Sequence, residues 1–190
     1  MIQIRFAQTD DAEALLEIYA HYVLNTAISF EYNVPSLDEF RKRIKNISKE
    51  YPYLVAEADG DVVGFAYASS FHSREAYKHS AEASIYVEKD KRKQGIGKAL
   101  YSKLEEYLLL QNVFCIHACV AYTSRKDDRF LTDASLRFHK KVGFIEEGVF
   151  EHCGYKFDQW YDTVWMKKDL FALPEHPDAF IPFAAVDACI

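Results

Sequence analysis

Apolar residues recur at two different spacings along this chain of 190 residues, and the spacing changes from segment to segment. Ile2–Phe6 alternates apolar and polar positions, which predicts a strand. Leu15, Ile18, Tyr19, Tyr22 and Val23 then fall three or four apart, the spacing of one helix face, with Thr9, Asp10 or Asp11 available to cap it. Ser36 has Glu39 three positions on, a capping-box pattern that opens a helix over Leu37–Ile47. Tyr53–Ala58 and Val62–Ser69 read as strands flanking Asp59-Gly60-Asp61, a tight hairpin signal. Glu82–Val87 is a further strand, and a glycine-led helix follows it through Leu110. Val113–Ala121 reads as a strand and Asp133–Val142 as a helix that Gly143 ends as its C′ residue. Two last strands are expected near Phe144–Glu151 and Tyr155–Lys167.

The predicted order βααβββαβαββ makes a mixed α/β (α+β) domain around a largely antiparallel sheet, over residues 1–170. Residues 171–190 form a C-terminal tail. Its stretch Pro174–Ile190 has proline breaks and scattered apolar residues, a pattern consistent with docking or with fraying.

Composition narrows the function classes. The length suits one domain with a sizeable core, and 49% hydrophobic with 27% charged residues is ordinary for a globular protein. A net charge of −6 argues against general nucleic-acid binding. No apolar run approaches the roughly 20 residues that span a bilayer, and Met1–Phe6 lacks the layout of a signal peptide, so no membrane is implicated and a cytoplasmic location is expected. Cys115, Cys119, Cys153 and Cys189 match neither paired zinc ligands nor a disulfide framework. Cys115 and Cys119 share one strand face and are expected to pack as small hydrophobes. His21, His117 and His152 are isolated, so no metal site is expected. Ser84 has no nucleophile-elbow context.

Against this acidic background Lys89, Lys91, Arg92, Lys93 and Lys98 crowd one corner, around Arg92-Lys93-Gln94-Gly95-Ile96-Gly97. Two glycines at a strand-to-helix turn let backbone amides approach a ligand closely. The helix N-terminus adds unpaired N–H groups and positive partial charge. The Rossmann fingerprint needs a third glycine where Leu100 stands, and the P-loop's closing Gly-Lys-Ser/Thr is absent. Turn chemistry alone also produces Gly-x-Gly before a helix.

The pattern [R/Q]-x-x-G-x-G resembles the acyl-CoA pyrophosphate loop of the GNAT acetyltransferases. Arg74-Glu75-Ala76-Tyr77, then Glu82 through Val87, then the glycine loop resemble the phosphinothricin and methionine sulfoximine acetyltransferases. So do Ala27–Glu31, Ser135–His139 with Gly143-Phe144, and Gly154-Tyr155-Lys156-Phe157 with Trp160 and Asp162. The likeness runs from about residue 2 to 168. It implies the GNAT fold, acetyl-CoA as co-substrate, a small amine acceptor and a homodimer with the loops near Phe30 and Trp160 close to the partner. Three departures stand out: Thr132 where the family often has Asn, the long polar segment Thr123–Phe130, and His72 where herbicide-detoxifying members tend to have Lys.

The resemblance implies a role for particular residues. Glu82 is the general base that frees an acceptor amine for direct attack. His139, four residues before Gly143, stands where many GNAT enzymes have Tyr near the coenzyme A sulfur, and is catalytic or structural. Coenzyme A falls to Tyr86, Val87, Arg92, Lys93, Gln94, Gly95, Ile96, Gly97, Lys98, Thr132 and Ser135. The oxyanion donor is expected to be a backbone amide near Tyr86 or Val87. Phe30, His72, Arg74, Tyr77 and Trp160 would face the acceptor, with Arg74 offering a planar fork to a carboxylate or phosphinate. The rival readings are acetyl transfer to a peptide or protein amine, and a non-catalytic acyl-CoA-binding module, which the presence of Glu82 counts against.

Overall fold

The computed structural model describes residues 2–187, so Met1 and residues 188–190, Cys189 among them, lie outside the described part. In chain order the elements are β1 (Ile2–Phe6), α1 (Ala12–Asn25), α2 (Leu37–Glu50), β2 (Tyr53–Ala58), β3 (Asp61–Ser70), β4 (Ser80–Val87), α3 (Ile96–Leu110), β5 (Cys115–Tyr122), α4 (Ala134–Lys141), β6 (Ile145–Lys156), β7 (Gln159–Asp169) and α5 (Phe183–Asp187). The strands form one sheet in the order β1-β2-β3-β4-β5-β7-β6. Every neighbouring pair is antiparallel except β4 with β5.

The sheet is the middle layer, and side-chain alternation along β4 shows why. Ala81 and Ala83 pack on one face against Leu100, Leu104 and Leu108 of α3. Tyr86 points to the other face, where Tyr19 and Tyr22 of α1 and Phe40 of α2 cover it. Burial of both faces is what turns the short apolar runs of β2 to β5 into strands.

Most local signals act as expected. Asp59 at φ 55° and Gly60 at φ 93° form the primed turn that suits a two-residue hairpin. The Ser36 side chain accepts from Glu39 N–H at 3.2 Å and caps α2, which runs three residues beyond the expected end. Two signals act differently. Thr9–Asp11 forms a 3-10 turn, and Asp11 spends its carboxylate on the Arg5 guanidinium (2.6 and 2.7 Å) and the Gln8 N–H (2.6 Å) instead of capping α1. The β6–β7 turn lies at Phe157-Asp158, not near Cys153-Gly154. Both turn residues have positive φ (52° and 58°) without a glycine, so the turn carried no compositional mark. Gly154 sits inside β6 next to a bulge that separates the Phe150 and Gly154 register pairs.

The tail docks through residues 179–186. The buried Gln111 side chain donates to Glu50 O (2.6 Å) and Ile181 O (2.8 Å), and Asn112 donates to Ala179 O (2.8 Å). Phe183 is buried against the Phe6 and Tyr107 rings.

Asp128 organises the long polar segment 123–130. Its carboxylate accepts from Phe130 and Leu131 N–H (2.9 Å each), from Arg125 Nη2 (2.8 Å) and from the Tyr161 hydroxyl (3.2 Å). Burial alone would raise its pKa, but these donors outweigh burial and hold the carboxyl below its ordinary value. Asp128→Ala is expected to destabilise the fold by about 1–3 kcal/mol, the cost of leaving enclosed donors unpaired. The depressed pKa gives the sign of the pH effect: the wild-type advantage is fully present above the ordinary carboxylate pKa and fades as pH falls through the lowered one. Thermal melts of both proteins across pH 3–7 check this.

Candidate active site

The parallel ladder between β4 and β5 holds only from Ser80–Glu82 to Cys115–His117, and beyond it the two strands part. Backbone parity decides what faces the opening. Glu88 N–H donates to Val63 O at 2.9 Å, next to the register pair Gly64–Val87. Bonded pairs alternate in an antiparallel ladder, so even-numbered residues of β4 turn their N–H groups to β3 and odd-numbered residues turn theirs to β5. His79 agrees at the other end, where its carbonyl accepts from Phe114 N–H at 2.9 Å.

These bonds separate the amides expected to serve an oxyanion near Tyr86 or Val87. The Tyr86 amide faces β3. The Val87 amide faces the gap but donates to the Tyr22 hydroxyl at 3.1 Å, which itself donates to Val87 O at 2.5 Å. Ile85 N–H remains, beyond the last β4–β5 register pair. A donor unpaired within the sheet, at the mouth of a gap, is disposed to meet an acyl oxygen.

Glu82 stands at the fork. It is half-buried, and burial pushes its carboxyl above the ordinary carboxylate value while nearby His72 opposes part of that rise. Cys119, expected to pack as a small hydrophobe, instead lines the gap. Burial, then the Glu82 charge, push its thiol up to about 11, so it is a poor nucleophile. Cys115 is buried, with its sulfur 3.2 Å from Ser80 Oγ.

His139 also lines the gap, with Ser84, Tyr101 and Ser135. Its Nδ1 lies 2.8 Å from Ser135 O, which only accepts, so the ring proton is on Nδ1. Nε2 therefore accepts from the Tyr101 hydroxyl at 2.9 Å. Burial lowers the His139 pKa against the opposing Ser135 bond, and the imidazole is neutral near pH 7. Tyr101 carried no sequence signal beyond helical spacing.

The glycine loop delivers the start of α3. Lys93 (φ 64°) and Gly95 (φ 87°) are both left-handed, and Gly95 is the N-cap with no side-chain cap. Ala99 N–H bonds Gly95 O at 3.0 Å, so the amides of Ile96, Gly97 and Lys98 are the ones without a helical acceptor. Arg92, Lys93, Gln94 and Lys98 are exposed around them, and Arg92 lies 5.1 Å from the Tyr22 ring. Ile96 is buried and offers only backbone. Gly97 has a packing reason as well: a Cβ there would stand 3.0 Å from Phe138 of α4. Thr132 is exposed ahead of α4, its hydroxyl 3.4 Å from Ala134 N–H.

A second cavity abuts Tyr86 on the α1/α2 face, walled by Tyr19, Tyr53, Phe65, Tyr67 and Arg43. Glu82 acts electrostatically on Tyr67, which relates this aromatic chamber to the Glu82 carboxylate. The expected acceptor residues are only partly gathered. His72 is brought near Glu82 and stacks edge-on with Tyr77 (4.8 Å), and Phe30 is half-buried against Tyr161. Arg74 is exposed ahead of the 3-10 turn Glu75–Tyr77, and Trp160 is exposed on β7, neither lining the two cavities.

The acetyltransferase (GNAT) domain model matches residues 4–165. The chain is 36% identical over 181 residues to a phosphinothricin N-acetyltransferase of Alcaligenes faecalis, covering 90% of this chain and 86% of that one. The crystal structure of a GNAT phosphinothricin acetyltransferase from Sinorhizobium meliloti in complex with AcCoA superposes with a TM-score of 0.85 at 31% identity, over 97% of each chain. A ribosomal-protein-alanine N-acetyltransferase from Brucella melitensis superposes with a TM-score of 0.80 at 33% identity, over 88% of this chain and 99% of the other.

Proposed function

The chain belongs to the GNAT acetyltransferase family and is an acetyl-CoA-dependent N-acetyltransferase, and we propose that it acetylates the α-amine of a small amino-acid-like acceptor with Glu82 as general base. The observation that carries this reading is Glu82 itself, a half-buried carboxylate with a raised pKa where β4 and β5 part, between an aromatic chamber and an unpaired Ile85 N–H. When bound, acetyl-CoA supplies an activated acyl carbon and departs as a thiol.

The chain's residues divide the remaining work. The amides of Ile96, Gly97 and Lys98 with Arg92 and Lys93 suit a pyrophosphate, since donors and cations converge on one helix end. Glu82 takes a proton from the ammonium form of the acceptor, directly or through one water, and its raised pKa brings it closer to that task. Ile85 N–H supports negative charge on the acyl oxygen. The neutral His139–Tyr101 pair lines the gap where the departing sulfur would stand. Arg74 heads the turn that carries Tyr77 beside His72, and takes the acceptor's carboxylate.

The test is an acetyl-CoA consumption screen with phosphinothricin, methionine sulfoximine, ordinary amino acids, polyamines and peptides bearing an N-terminal alanine. Amino acids and their sulfoximine analogues should be preferred. Arg74→Ala should raise the acceptor KM by about one to two orders of magnitude and spare that for acetyl-CoA, since a charge-assisted bond contributes roughly 1.5–3 kcal/mol. Preference for the peptides would move the assignment to protein amines, the reading that the likeness to the ribosomal-protein-alanine enzyme favours.

Assembly follows from the sheet edge. Val149, Phe150, Tyr155 and Trp160 are large, apolar and exposed on the β6–β7 hairpin, and a second copy of the chain would cover them. Light scattering is expected to report twice the 22.0 kDa chain mass, and a monomer at micromolar concentration would count against it.

A further inference from the structure

Lys156 is the one residue of the Gly154-Tyr155-Lys156 run on β6 whose charge is buried, at 3% exposure. Among the described residues no carboxylate forms an ion pair with it, and the Glu31 charge acts on it only from a distance. Its ammonium donates to Val23 O (2.7 Å), Thr26 O (3.0 Å) and Ser29 O (2.6 Å). Three donors thus meet three carbonyls at and beyond the C-terminal end of α1, where the helix leaves its last carbonyls unpaired and a cation is favoured. Gly154 acts two residues earlier on the same strand. A Cβ there would stand 2.2 Å from Cε2 of Phe30, so only glycine admits that ring against β6. The Tyr32 hydroxyl also donates to Tyr155 O.

The segment held in this way is the one that enters the site. Ile28 lines the gap between β4 and β5. Ser29 Oγ bonds the hydroxyl of Tyr19, a wall of the aromatic chamber, at 2.9 Å. The segment's other ties are Ala27 N–H to Phe130 O (3.0 Å), Arg43 to the Glu31 carboxylate (2.6 Å), Thr26 Oγ1 to Tyr22 O (2.7 Å) and the packing of Ala27 with Leu131 and Tyr161. Ile28 and Glu31 N–H bond the nearby Thr26 and Ser29 side chains (3.2 Å each).

We propose that Lys156 is a positioning residue for the acceptor, and that with Gly154 it clamps residues 26–31 against the edge hairpin so that Ile28 and Ser29 keep their places at the gap and the chamber. The clamp joins β6 to the end of α1 and the loop that follows it. Its role in acceptor binding rests on the chamber being the acceptor site; the clamp itself does not.

Lys156→Met keeps the length of the arm and removes the donors. With methionine sulfoximine as the acceptor, its KM should rise at least tenfold, with acetyl-CoA affinity by calorimetry within twofold of wild type. Amide exchange, measured without acceptor, should speed up at Ala27, Ile28 and Glu31 and stay unchanged in α3. Gly154→Ala, which displaces Phe30 but keeps the cation, should reproduce the pattern and decides the matter if Lys156→Met does not fold. A general loss of stability would instead raise exchange in α3 and weaken both substrates. A folded Lys156→Met variant with unchanged acceptor KM and unchanged exchange at 27–31 overturns the proposal. If wild type does not acetylate the probe, the acceptor reading falls, and the exchange data alone decide for or against the clamp.

Discussion

Glu82→Gln is expected to leave acetyl-CoA affinity within about twofold and to lower kcat by roughly 10²–10⁴, the range for a positioned general acid–base group. The amide preserves shape but cannot accept a proton from an ammonium. The pH profile separates this role from a structural one. Burial raises the Glu82 pKa despite opposing His72, so the acid limb of wild-type kcat/KM should lie above the ordinary carboxylate value. Activity is lost as pH falls through that raised pKa, because only the ionised carboxylate takes the proton. The limb should vanish in the Gln variant. His72→Gln, which removes the opposing charge, should move the limb further up. Wild-type turnover in Glu82→Gln under conditions where chemistry limits the rate would mean that solvent deprotonates the amine.

Gly95→Val should weaken acetyl-CoA binding by about two orders of magnitude, for a reason that lies in the backbone. Gly95 has φ +87°, and a β-branched residue there is an outlier costing on the order of 1–3 kcal/mol. No protein atom lies within 4 Å of a Cβ built at Gly95, so the side chain meets only the space where a ligand would approach the amides. Gly97→Ala is the informative contrast. Its Cβ meets Phe138 at 3.0 Å, so its cost should appear in the melting temperature through the α3–α4 contact. Calorimetry on folded variants checks both, and unchanged coenzyme affinity in Gly95→Val would remove the cradle from the site.

The stretches legible in the sequence are those whose cause is local. The Ser36–Glu39 cap, the Asp59-Gly60 turn and the apolar spacing of α1 and α3 each act within one or two turns of chain. The glycine loop is legible too, because an exposed anion cradle at a helix end needs glycine at one position whatever else packs nearby. The Phe157-Asp158 turn is not legible because its two positive φ angles fall on residues other than glycine, and Phe157 stacks on Phe130 from a distant segment.

The sequence by itself determined the order of elements from β1 to β7 (though not the α5 turn of the tail), the strand that carries Glu82, and a helix whose first amides are left without a helical acceptor. Only the tertiary structure decided that the Ile85 amide faces the gap beyond the β4–β5 ladder while Tyr86 N–H turns to β3 and Val87 N–H is taken by the Tyr22 hydroxyl, since that depends on which neighbour each side of β4 bonds. It also decided that His139 is engaged by Ser135 and Tyr101, and that Lys156 donates to Ser29 O, 127 positions away. Periodicity reports which face of an element is buried. Which donor meets which acceptor across the sheet is set by register, strand divergence and burial, and these exist only once the layers have packed.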